Sequence, residues 1–182
     1  MLNLYKTAMS SFFILVFLLV CLTPLMAWSY DCNKHLESSG SDDRFDINAD
    51  GTLTDINSGL TWMRCALGQS WNGVTCIGAA SSYSWKDLNR EIQKLNKTGG
   101  FASHTDWRLP KLPELASIVD IRCQYPRIDL TLFPNTPSAT FWSADKKPGR
   151  ENSIYILDFG LKGVSASETE SQNHVRLVRG RD

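Results

Sequence analysis

Asp46, Asn48, Asp50 and Gly51, in the stretch DINADG, place oxygen ligands at alternate positions ahead of a glycine, as the first half of a calcium loop does. The twelfth position of such a loop needs a bidentate carboxylate, and Asn57 stands there. A hairpin turn explains Asp50-Gly51 without metal, so no metal site is assigned. His35, His104 and His174 are scattered and no C-x-x-C occurs, which leaves zinc without a ligand spacing. The sequence contains no G-x-S-x-G, no Walker-type loop and no H-E-x-x-H, and no nucleophile is paired with a base in a recognisable signature. The expectation is a non-enzymatic protein with no catalytic residues and no cofactor.

Sulfur chemistry depends on compartment. Cys21 lies in an apolar run over residues 12–22, behind Lys6 and ahead of Ala27-Trp28-Ser29. A positive start, an apolar run too short for a ~30 Å hydrocarbon core, and small residues at −3 and −1 read as a secretory leader over 1–29. Cleavage before Tyr30 is expected, with cleavage after Ala27 as the alternative and an uncleaved anchor as the rival. Four cysteines then remain, Cys32, Cys65, Cys76 and Cys123, and an exported chain with an even count reads as two disulfides with three pairings open. Cys65 and Cys76 flank ALGQSWNGVT, where Asn72-Gly73 can reverse the chain. That favours joining these two and leaves Cys32 to tie the amino terminus to Cys123. The expected location is outside the cytoplasm: periplasm, cell surface or extracellular space.

Basic residues supply the candidate binding chemistry. Lys146, Lys147 and Arg150 occupy a Pro/Gly loop, and Arg176, Arg179 and Arg181 lie near the carboxy terminus. Brought together, the two groups would hold sulfate or phosphate groups, Arg bidentately. The plainer alternative is a solvated loop beside a strand of alternating charge. The chain has 19 basic and 19 acidic residues, and loss of the leader leaves 18 against 19. That balance argues against a nucleic-acid partner. Among the five tryptophans beyond the leader, Trp62 and Trp85 lie on buried periodicities and Trp107 precedes an Arg-Leu-Pro segment. Trp71, inside the Cys65-to-Cys76 loop, is the candidate ligand contact.

The elements that must position these groups follow from periodicity. Residues 30–43 are polar and read as a loop, and 44–182 as a single domain without internal repeats. Phe45, Ile47, Leu53, Leu60 and Trp62 alternate with polar neighbours, which predicts three short antiparallel strands turning at Asp50-Gly51 and Ser58-Gly59. Trp85, Leu88, Ile92 and Leu95 fall on one helical stripe, with Ser84 as cap and Gly99-Gly100 as stop. A second helix is expected from Pro113 to about Ile121. Strands are expected over 139–143, 153–159 and 174–179, with a return strand in 160–166. Strands, two helices, then strands make an α+β domain.

Several motifs taken in order resemble the Lcl carboxy-terminal domain family, a bacterial domain of unknown function named for a collagen-like adhesin. They are DGTLTDINSGLTWMRC, the GQSWNG of the Cys65-to-Cys76 loop, SYSWKDL, DWRLPKLPEL, FPNTPSATFWSAD and VRLVR, spanning about Arg44 to Arg179. The resemblance implies a C-type-lectin-like fold and an exported adhesin-like binding module whose ligand is a polysaccharide, a sulfated glycan or a surface protein. A structural or accessory subunit of an envelope assembly is the alternative. No stable membrane insertion is implied once the leader is gone. DWRLPKLPEL is also similar to a segment of sulfatase-modifying enzymes, whose copper-binding cysteine pair has no counterpart here. The lectin sugar motif fails at Phe133-Pro134-Asn135, where Phe replaces Glu. Within this reading Trp107, Arg108 and Glu114 are structural, the guanidinium pairing with Glu114 and capping backbone carbonyls.

Overall fold

The alternation over residues 45–63 folds as a meander. In a computed structural model that describes Cys32 and residues 43–180, β1 (Phe45–Ile47), β2 (Thr52–Asp55) and β3 (Thr61–Met63) pair antiparallel, with Leu53 opposite Trp62. Gly51 turns the first corner at φ 87°, where a Cβ would also stand 2.6 Å from the Trp71 ring. A late strand, β11 (Val178–Arg179), completes this sheet against β3.

A two-stranded ribbon follows, β4 (Ser70–Trp71) with β5 (Cys76–Ile77). Residues this short carry no period, and the sequence reading did not expect them as strands. β6 (Ser82–Tyr83), also unexpected, leads into α1 (Trp85–Lys97), whose Ser84 hydroxyl accepts from the Asp87 amide. Leu88 and Ile92 of the stripe are buried. The second helix, α2 (Leu112–Ser117), is shorter than expected: Ile118 ends it, and Asp120 turns the chain by accepting from the Arg122 amide at 2.9 Å.

β7 (Thr140–Lys146), β8 (Ser153–Asp158) and β9 (Gly163–Glu168) then form consecutive antiparallel hairpins. The expected single strand over 174–179 is divided. β10 (Asn173–His174) inserts between β6 and β7, running parallel to β7, while β11 joins the meander. The larger sheet therefore has the order β6-β10-β7-β8-β9.

The middle of this sheet, β7 and β8, is buried on both faces, as its alternation shows. Phe141 and Leu157 pair toward one cluster with Trp62, Leu115, Ile128, Phe133 and Phe159, whereas Trp142 and Ile156 pair toward another with Leu88, Ile92, Trp107 and Leu177. α2 and the 128–133 segment cover the first face, and α1 covers the second. Two bonds staple the layers, Cys65–Cys76 and Cys32–Cys123. Two helices, short sheets and two disulfides make the α+β domain expected. No described helix is long and apolar enough to cross a membrane. The expected leader, Trp28 and Arg181 lie outside the described residues, as does the expected loop apart from Cys32 and Asp43.

Candidate functional site

The β7–β8 turn gathers three cationic side chains, Lys146, Lys147 and Arg150, with the exposed Glu151 directly after them. Lys146 ends β7 opposite Ile154, the Lys147 amide donates to Ser153 O at 2.8 Å, and the Arg150 amide returns to Lys147 O. The backbone is thereby closed into a tight reversal through Pro148-Gly149. Lys146 and Arg150 are exposed and Lys147 half-buried. Among the described residues none of the three side chains has a carboxylate partner, whereas Arg44, Arg90, Arg108, Arg122 and Arg179 all do.

The other half of the expected patch is not at the surface. Arg176 is 0% exposed. Its guanidinium lies 4.7 Å over the Phe133 ring, donates from Nη1 to Met63 O and Arg64 O, and from Nη2 to Thr136 Oγ1 at 2.6 Å. Burial brings its pKa down to about 9. Arg176 is thus corrected from a ligand contact to a core donor, because β3 ends beside it with the Met63 and Arg64 carbonyls that its guanidinium satisfies. Arg179 reaches the surface but is committed to Asp106, its Nε 2.8 Å from Oδ1. That hydrogen bond, with the positive charge of Arg179, holds the Asp106 carboxyl below its ordinary value.

Trp71 is half-buried, and its ring is largely occupied. The indole Nε1 donates to Ala49 O at 3.1 Å, Gly51 packs against the ring, and the Arg64 guanidinium lies 4.6 Å from its centroid. Arg64 in turn donates from Nε to Leu132 O and from Nη2 to Thr131 O. Arg64 is not among the residues expected at the site. Its signal was available: it falls two residues after the buried Trp62, on the same side of the strand. Beyond Trp71 the ribbon exposes apolar surface, with Val74 80% and Ile77 49% exposed.

Several of the described acidic groups are neutralised in place. Arg108 meets Glu114 in a two-pronged pair, both contacts 2.9 Å, and Glu114 also accepts from the Lys111 amide at 2.7 Å. Arg108 bonds Leu109 O and exchanges backbone bonds with Val178, and Trp107 exchanges backbone bonds with the Asn96 side chain. The DWRLP segment thereby fixes the end of α1 to β11. Asp55 is held by Arg44 at 2.6 Å and Asp120 by Arg122 at 2.6 Å. Burial would raise these three carboxyls, but hydrogen bonds from the arginines and neighbouring amides outweigh it and hold each below its ordinary value. A depression of about 400 Å³ opens beside Arg44, Asp55 and Glu114. Of its ionic walls, Arg44 is paired with Asp55, and Glu114 is held by Arg108 from outside the depression. At DINADG, the Asp50 carboxylate accepts from both the amide and the hydroxyl of Thr52, which is the hairpin turn expected there.

Among the described residues, these features define an α+β domain stapled by two disulfides, with several arginine-paired carboxylates and a cationic β7–β8 turn. The model of the Lcl C-terminal domain matches residues 51–179, and the chain belongs to that family. No curated protein matches the chain.

Proposed function

We propose that the chain is an exported, non-enzymatic recognition module of C-type-lectin-like architecture, working at a bacterial surface or in the surrounding space. Its β7–β8 turn binds an anionic glycan. The observation that carries this reading is the clustering of Lys146, Lys147 and Arg150, without carboxylate partners among the described residues, on a hydrogen-bonded reversal. Clustered cations attract sulfate or carboxylate groups, and Arg150 can bind such a group with two N–H donors. Two disulfides favour an oxidising compartment. The arginine-locked carboxylates and oxidised thiols favour binding over catalysis.

Chromatography on immobilised heparin and a glycan array test it. Retention that falls with salt, and that is lost in a Lys146→Ser, Lys147→Ser, Arg150→Ser variant of unchanged melting temperature, is expected. Absence of retention at low salt overturns the glycan reading. A second reading, a structural or accessory subunit that recognises protein, is favoured by the exposed Val74 and Ile77 on the disulfide-closed ribbon. Silence on the array together with a partner in pull-downs, lost on Val74→Asp, would establish it.

A further inference from the structure

Sheet edges differ sharply in how they are protected. β1, β6 and β11 end their sheets with three, two and two residues. β9 ends the larger sheet with six, GVSASE, and pairs with β8 along its whole length without a register shift. It contains no proline, no lysine and no bulge, the devices that usually blunt an exposed edge. Among the described residues no strand pairs with its outer side.

The parity of that edge is determined. The Thr169 amide donates inward to Asn152 O, continuing a register in which Glu168 faces Ser153. Alternation then turns Gly163, Ser165 and Ser167 inward and leaves the N–H and C=O groups of Val164, Ala166 and Glu168 pointing outward. Charge brackets the strand asymmetrically, with Lys162 before it and Glu168 and Glu170 at and beyond its end. A second copy laid antiparallel, with Ala166 opposite Ala166, matches outward groups to outward groups: Val164 meets Glu168, and Lys162 comes level with Glu170. A parallel copy would set lysine beside lysine and glutamates beside glutamates. We infer that β9 docks antiparallel on β9 of a second copy, joining two sheets across a two-fold axis.

A single strand pair makes a small interface, so the dimer is expected to be reversible and concentration-dependent. Sedimentation of the full chain with intact disulfides should show monomer at low and dimer at high concentration. Ala166→Pro removes an outward donor and no ladder bond to β8, so it should abolish the dimer while the chain still unfolds cooperatively. Lys162→Glu should weaken dimerisation on the order of tenfold, and adding Glu170→Lys should restore it. Ala166→Cys should cross-link copies under mild oxidation, because directly opposed residues of a hydrogen-bonded pair lie about 5.5 Å apart, within disulfide range. A chain that stays monomeric throughout overturns the inference. So does a dimer indifferent to Lys162→Glu, or a monomer whose edge accepts an unrelated extended peptide instead.

Discussion

Arg176 illustrates how a charged residue becomes a structural donor. Arg176→Met should destabilise by about 2–4 kcal/mol, since two carbonyls lose a donor at roughly 1–3 kcal/mol each while a desolvated charge is relieved. Urea unfolding measures this, and Arg176→Lys, which keeps the charge but not the planar fork, should recover little. Arg176 was expected at the surface because a lone arginine on a short strand near the carboxy terminus usually faces water. Nothing local announces that Met63 and Arg64, over a hundred residues earlier, present carbonyls there. Arg108 was legible, because its partner Glu114 lies six residues away. Arg108→Ala should cost about 2 kcal/mol in the same assay, given a largely buried two-pronged pair. Unchanged stability with lost ligand binding would reverse its assignment. The locked carboxylates also set a pH dependence. Asp55, Glu114 and Asp120 are held below ordinary values of 3.8, 4.5 and 3.8, so the unfolded chain binds more protons on acidification. Their contribution is complete above about pH 5 and is lost as pH falls through 4.5 toward the lower folded values. A urea midpoint that fails to drop between pH 6 and pH 3 would contradict that linkage.

At the scale of elements, legibility tracked length. α1 and the three-stranded meander were readable because four or more apolar positions repeat with one period. β4, β5 and β6 have two residues each and hold their place through contacts from elsewhere: the Cys65–Cys76 bond, Trp71 on Gly51, and the pairing of Ser82 and Tyr83 with β10. The candidate turn at Lys146, Lys147 and Arg150 was legible from Pro148-Gly149, whereas its expected companion strand was not, since division between two sheets leaves no mark on alternation. The ribbon depends on its bridge. Replacing Cys65 and Cys76 by Ser should destabilise the fold by roughly 3 kcal/mol on the loop-entropy scale, measurable as a lowered denaturation midpoint. Heparin retention should survive in whatever fraction remains folded, because the cationic turn lies on a different hairpin. Loss of both together in folded protein would place the binding face on the ribbon instead.

For the whole molecule, one short segment joins two sheets. Residues 173–179 give β10 to the larger sheet and β11 to the smaller, with Val175 and Leu177 in one hydrophobic cluster and Val178 in the other. Removing them should abolish cooperative unfolding altogether rather than lower its midpoint, and a sloping calorimetric trace without a peak would show this. If two copies pair through β9, each assembly presents two cationic turns, and a long anionic polymer would be gripped at both with avidity beyond either site. The bridging segment also governs when the protein can take shape. Neither sheet can close until the ribosome has made residues that lie more than a hundred positions beyond the meander they complete. On the proposed export route, that delay keeps the polypeptide pliable enough to thread a channel while it is still being made.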